Sequence, residues 1–230
     1  PDGIINSHGA DALRLFILFA SPPDKEFAWS TDGLEGAARF LNRLWTFFRE
    51  NLDVFAPGGA AAAEGPAEVR RKTHQTIRRV SEDIEVRFHL NTAISSIMEF
   101  YNFLKRERDV LRQTPAGRAG LREALEALVL LLVPFAPHMA EELWQATGRT
   151  ELLARSAWPS YDPELARDET VTIVVQVNGR LRDRFEAAAG TAEDELKATA
   201  LGLERIRAVL GAKPPRKVIC VKDKLVNIVG

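Results

Sequence analysis

The sequence predicts a mainly α-helical bundle followed by a small α+β domain of order ββαββ, and three observations carry that reading. Between Leu34 and Trp144, apolar residues recur three and four apart in successive blocks, the period of helices that bury one face. After Thr170 the period drops to two: Val171, Ile173, Val175 and Val177 alternate along one face, and Asn178-Gly179 follows as a hairpin signal. Between these regimes, residues 149–168 lose periodicity and contain Pro159 and Pro163, the marks of a linker, with Trp158 and Tyr161 expected to pin part of it to the bundle. The expected division is an opening helical segment over 1–30, a bundle over 31–148, a linker over 149–168 and the α+β domain over 169–230.

The elements follow in order. His8 to Ala20 reads as a short helix, apolar nearly all round and stopped by Ser21-Pro22-Pro23. Asp32 and Glu35 have the spacing of a capping pair, and Leu34, Ala38, Leu41, Trp45, Phe48 and Leu52 follow at helical intervals. Pro57 to Gly65 reads either as a mobile connection or, through its alanines, as an extra turn of helix. Pro66 is suited to start a helix carrying Val69, Thr73, Ile77, Val80 and Ile84.

Phe88 to Arg108 is the stretch the rest is expected to surround, because Phe88, Asn91, Ile94, Ser95, Met98, Tyr101 and Asn102 form one stripe widened by Ile97, Phe100 and Leu104. Neither Gly nor Pro separates it from the preceding helix. One very long helix or a kink between Glu85 and Asn91 is possible, and the kink is favoured. Leu121 to Leu132 is the next helix, ended by Pro134; Pro137 starts another with Glu141 and Glu142 read into its first turn.

In the tail, a three-residue loop with Gly179 left-handed is expected to place Leu181 and Phe185 with the valines and to gather Arg180, Arg182 and Arg184 on the other face. Thr191 and Asp194 are read as caps of a helix from Leu196 to Leu210, interrupted at Gly202. Lys217 to Val221 and Leu225 to Val229 then close the sheet around Asp223, leaving one face covered by helix and one open.

Composition narrows the function. The lone Cys220 excludes a disulfide framework and a multi-cysteine zinc site, and its neighbours Val218, Ile219 and Val221 make it a core thiol. The apolar runs are shorter than a membrane span, so no membrane partner is expected. The opening Pro1-Asp2, with no methionine, suggests a piece of a longer protein.

Charge is unevenly spread. From Thr170 onward eleven Lys or Arg face seven Asp or Glu, while the rest is net acidic by five, which suggests an anionic partner, nucleic acid before membrane. Catalytic chemistry is not found. His138 with Glu141 and Glu142 lacks a third ligand and the spacing of a metal pair, and neither a phosphate loop nor a nucleophile elbow is recognisable. Neither catalytic nor metal residues are assigned.

At this point a family resemblance can be read from the motifs. His8 to Phe16, Ala20-Ser21-Pro22-Pro23, Trp29-Ser30, Gly33 to Ala37 and Arg39 to Trp45 resemble the segment following the ATP loop of class I aminoacyl-tRNA synthetases of leucyl type. Val133 to Trp144 is similar to the anticodon-binding helical domain shared by the leucyl, isoleucyl, valyl and methionyl enzymes. Val175 to Arg182, Lys217 to Val221 and Leu225 to Val229 resemble the C-terminal domain of bacterial leucyl-tRNA synthetases. Ala28 and Arg180 depart from the family, which more often has an acid and a lysine there.

The resemblance implies a parent that ligates leucine to tRNA(Leu) with ATP and Mg2+ in the cytoplasm, as a monomer. The catalytic parts would precede this chain, so that leucine and ATP are handled elsewhere and the chain itself holds no cofactor. Residues 1–30 would then be a stem-contact segment, and the tail would reach the outer elbow of the tRNA. The candidate tRNA-binding residues are Asn178, Arg180, Arg182, Arg184, Lys217, Lys222 and Lys224 in the tail, with Arg39, Arg43 and Arg78 on the bundle. Arg71 and Arg79 on the bundle could also touch phosphate, and for all five bundle arginines a solvated face is the competing reading. A reading from another class is a helical protein-interaction adaptor with a small basic α+β module.

Overall fold

The computed structural model describes residues 2–21, 26, 28–56, 64–168, 170–211 and 215–229. The chain forms two compact units, Pro1–Arg167 and Asp168–Gly230.

The first unit is built around α5 (Leu90–Leu111), which packs against α2 (Ala10–Ala20), α4 (Ala67–Glu85) and α6 (Pro115–Leu132). Its Phe100 and Leu104 are wholly buried, and the Tyr101 ring meets Phe40 and Phe47 of α3 (Thr31–Arg49) edge-on. Phe88, assigned to this stripe from spacing, is a correction: it lies outside the helix, 63% exposed, with φ 55. The chain does not kink between α4 and α5 but breaks. The His89 N–H reaches the Asp83 carbonyl at 2.7 Å, and the Arg87 guanidinium is held by Glu82 and by the buried Asp83. Those bonds hold Phe88 in a left-handed conformation that its side chain disfavours.

The opening segment is two helices, α1 (Asp2–His8) and α2, divided at Gly9, whose φ of 85 suits a residue without Cβ. The cap of α3 is also corrected. Ser30, not Asp32, accepts from the Gly33 N–H at 3.1 Å. The expected connection at Pro57 to Gly65 falls mostly outside the described residues.

Thr114 caps α6 by accepting from the Gly117 N–H at 3.0 Å, and a Cβ on Gly117 would lie 2.2 Å from the Leu111 carbonyl oxygen. Only glycine fits that close turn. Nearby, the 3-10 turn Leu52–Phe55 is fastened by Arg112 and Arg118, which both donate to Asp53. Arg112 also donates to the side-chain Oδ1 of the buried Asn51 at 2.9 Å.

At the start of α7 (Pro137–Ala146) the acid near the dipole comes from α2. Asp11 accepts from the Met139 N–H at 2.7 Å and pairs with His138 Nδ1 at 2.8 Å. Glu141 and Glu142 lie beyond the first turn, and Glu141 accepts from the Leu153 N–H at 2.9 Å. His138 is thus occupied by a carboxylate from another helix, a structural pairing.

That last bond belongs to a revision of the linker. Leu153 and Ala166 are buried, the Trp158 indole donates to Ser81 at 2.7 Å, and the Asp162 N–H donates to His74 at 3.0 Å. Most of 149–168 is therefore laid along the bundle. It lacks a period because it is held residue by residue through polar bonds and single anchors.

The second unit is a four-stranded sheet of order β2-β1-β4-β3: β1 is Thr170–Val177, β2 Arg180–Ala188, β3 Lys217–Val221 and β4 Leu225–Val229. β1 and β4 run parallel and the other pairs antiparallel. The helices α8 (Glu193–Gly202) and α9 (Glu204–Leu210) bury Leu196, Ala200 and Ile206 in one core with Ile173, Val175, Val226 and Ile228. The break falls at Gly202-Leu203, as its glycine suggests. Thr191 does not cap α8: its hydroxyl turns back to the Ala188 carbonyl at 2.6 Å.

Candidate nucleic-acid interface

The expected wall of three arginines is not what the sheet builds. The Asn178-Gly179 turn has two residues, both at positive φ (51 and 77), and pairs Val177 with Arg180. The bulge lies further along: Gln176 pairs with Leu181 and Val175 with Asp183, so Arg182 is the extra residue. Directly paired residues share a face. Arg180 therefore has the register of the helix-covered side, at its turn end. Arg184, opposite Val174, has the register of the open side. Phe185 lies with Ile173 as expected, but Leu181 does not join the valines and is 56% exposed. The error has a simple physical source. An Asn-Gly pair supports the tighter two-residue turn, and one bulge satisfies the hydrophobic pattern of Phe185 from either position.

The other tail candidates separate along the strands. Lys217 pairs with Val229, at the same end of the sheet as the Asn178-Gly179 turn. Lys222 and Lys224 flank Asp223 at the opposite end, where Asp223 has φ 56 and accepts from the Gly190 N–H at 2.8 Å. At 3.3 Å per residue these two ends are about 15 Å apart. Asn227 secures the first turn by accepting from the Gly179 N–H at 3.2 Å. Between the ends, the open face carries exposed Ile219 and Val221, with Arg184 on one edge strand and Lys217 on the other. The arrangement is a mixed face, apolar at Leu181, Ile219 and Val221 and polar at Gln176 and Asn227, with Arg184 and Lys217 on its edge strands and Glu186 two residues from Arg184; its apolar part suits ribose and base surfaces, its edge cations phosphate. Cys220 faces the covered side, its thiol pushed up by burial.

On the bundle the candidates differ in how free they are. Arg39 is paired with Glu35 at 3.3 Å, one turn earlier on α3, and Arg79 with Glu99 at 3.6 Å. Arg43 lies one turn after Arg39 on the same face, exposed; Arg78 on α4 is half-buried. Sequence reasoning passed over Lys105, exposed on α5 beside Arg43 and Tyr101. Burial holds the Tyr101 phenol above its ordinary value, an effect that the Arg43 charge opposes. Among the described residues neither a three-member metal-ligating cluster nor a membrane-length apolar helix occurs.

The model of the anticodon-binding domain of tRNA ligases matches residues 67–197, and the chain belongs to that family. Particular relatives sharpen the assignment. The chain is 42% identical over 233 residues to a leucine-tRNA ligase of Geotalea uraniireducens, and 44% identical over 240 residues to that of Syntrophobacter fumaroxidans. Each match covers 100% of this chain and 28% of the relative, so the chain spans little more than a quarter of their length. A LeuRS of Agrobacterium radiobacter, solved as a ternary complex with tRNA and LeuAMS, matches 100% of this chain and 29% of its own at TM-score 0.81 and 30% identity.

Proposed function

We propose that this chain is the tRNA-binding portion of a leucine-tRNA ligase whose other parts join leucine to tRNA(Leu). The observation that carries the reading is the match of the whole chain, end to end, to enzymes of that name and to a LeuRS solved with tRNA. ATP, Mg2+ and leucine would act at those other parts. The chain itself would supply grip and no chemistry, within a monomeric cytoplasmic enzyme. The candidate contacts are Asn178, Arg180, Arg182, Arg184, Lys217, Lys222 and Lys224, with Arg39, Arg43 and Arg78. The adaptor reading is the weaker one, because the relatives that match this chain over its whole length are named as ligases.

Filter binding tests it. The isolated chain is expected to retain folded tRNA(Leu) in preference to a polyanionic peptide, with affinity falling steeply as salt rises because phosphate contacts release counterions. It is also expected to give no leucine-dependent pyrophosphate exchange. Equal retention of the peptide and the tRNA would favour the adaptor.

A further inference from the structure

Between α3 and α5 the bundle leaves a cleft that its own packing does not use. Two hollows meet there. One of about 680 Å3 reaches from Phe16 past Phe40 and Met98; the other, of about 320 Å3, continues along Asn42, Thr46 and Lys105, and both are bordered by Arg43 and Tyr101. The chemistry changes along the cleft, from apolar at the Phe16 end to a row of hydrogen-bond donors at the Lys105 end.

Those donors are unemployed. Arg43 and Lys105 make neither an ion pair nor a side-chain hydrogen bond among the described residues, whereas neighbouring Arg39 and Arg108 are bound to Glu35 and Glu50. Tyr101 is only 4% exposed, and its ring is clamped between Phe40 at 5.7 Å and Phe47 at 5.5 Å. Its hydroxyl nonetheless has no hydrogen-bond partner among the described residues, although Tyr101 lines both hollows. The hydroxyl is not one of the sealed, unpartnered polar atoms of the bundle; it opens on the cleft, where a ligand atom can take the place of water as its partner. Two acids also border the cleft. Glu50 is neutralised by Arg108 at 2.9 Å, and Glu26 borders only the larger, apolar hollow, which disfavours a phosphate there.

We propose that this cleft receives one nucleotide of a bound RNA. Its phosphate would rest on Arg43 and Lys105, its ribose on the Tyr101 hydroxyl, and its base in the hollow beside Phe40 and Met98. An inorganic anion would leave the apolar hollow empty, and an apolar peptide would leave the cations unmet; a nucleotide satisfies both halves. The inference rests on the tRNA-binding reading above and adds to it a defined subsite.

The test titrates labelled tRNA(Leu) into the 230-residue chain and its Arg43→Ala and Tyr101→Phe variants, with melting curves to confirm folding. Tyr101→Phe removes one oxygen and keeps the ring packing. It is expected to weaken binding about three- to tenfold with the salt slope unchanged, as the loss of a neutral hydrogen bond would. Arg43→Ala is expected to weaken binding as well and to lower the slope by about one. If wild type binds tRNA and both variants bind equally well, the cleft assignment is overturned and the tRNA reading stands. If wild type binds no tRNA, both are overturned. A parallel titration with adenosine monophosphate separates the sources: weak binding that tRNA displaces supports an RNA nucleotide, while saturation of the cleft without competition from tRNA overturns it in favour of a free one.

Discussion

The two units bury their apolar residues in different ways. In the helical unit α5 is enclosed by its neighbours, and Phe48, Phe100 and Phe135 are wholly out of water. The sheet of the second unit is covered on one side only, and its fully buried core of Ile173, Val175, Val177, Leu196, Ala200, Ile206, Val226 and Ile228 is aliphatic, with the half-buried Phe185 packed at its edge. Enclosure gives the first unit a broad core and leaves the outer faces of its helices to carry polar groups such as Arg43 and Lys105. One-sided covering leaves the second with a whole free face and a thin core. A core of that size supplies roughly 3–5 kcal/mol, so recognition surface and stability compete there directly.

The largest expected effect follows from that imbalance. Ile228→Ala removes a wholly buried side chain at a cost of about 2–5 kcal/mol, comparable to the stability of the second unit itself. Hydrogen exchange should show β1 to β4 unprotected while the α5 amides stay slow. Loss of protection in both units together would break the comparison, because it would mean they fold as one.

How much of this was legible follows the same division. The bundle helices were readable because enclosure imposes a long, regular stripe, and Leu121 to Leu132 falls within α6. Features fixed by single polar bonds were not. The stop at Phe88 depends on Asp83 and the Arg87 guanidinium rather than on Gly or Pro; along 149–168 the aromatic anchor Trp158 was legible, but its bond to Ser81 and that of the Asp162 N–H to His74 were not. In the tail, period two identified the strands and the covered face, but sliding the bulge to Arg182 redistributed the arginines. Strand register is a tertiary property that alternation alone leaves one residue uncertain. The free state of Arg43 was equally hidden, since pairing of Arg39 but not Arg43 is decided by Glu35.

Next in size is the fastening of the 3-10 turn. Arg112→Ala would strip the buried Asn51 oxygen and Asp53 of a donor, at a cost of about 1–3 kcal/mol, read as a lower midpoint in urea. The pH dependence has a definite sign. Hydrogen bonding from Arg112, with help from Arg118 and against desolvation, holds the Asp53 carboxyl below its ordinary value of 3.8. Its contribution is therefore complete above pH 3.8 and is lost as pH falls through the lower folded value. With the side chain 46% exposed, screening keeps that contribution modest. Arg112→Ala should remove this part of the acid sensitivity, and an unchanged acid profile would assign it to other carboxylates.

A smaller effect, in binding, sharpens the account of the sheet. Arg184 has the register of the open face and Arg180 that of the covered face. Reversing the charge at Arg184 should therefore weaken tRNA retention about tenfold, and at Arg180 by about twofold, if RNA lies on the open face. Equal losses would mean that the tail acts through its summed charge, and the face would lose its meaning.

The smallest effect returns to the helical unit. Ser30 and Asp32 both have side chains able to cap α3, and only geometry separates them: Ser30 is extended (φ −135, ψ 114) and accepts from the Gly33 N–H, whereas Asp32 is already inside the first turn. Ser30→Ala should cost about 1 kcal/mol, the usual worth of a cap. Asp32→Ala should cost only about 0.3–1 kcal/mol through the helix dipole, and that cost should fade in salt. Thermal melts of the two variants at low and high ionic strength distinguish the roles. A salt-sensitive loss at Ser30, or a salt-insensitive loss at Asp32 of the larger size, would transfer the cap to Asp32. It would also mean that local hydrogen bonding, even in the well-enclosed unit, is set by spacing rather than by backbone geometry.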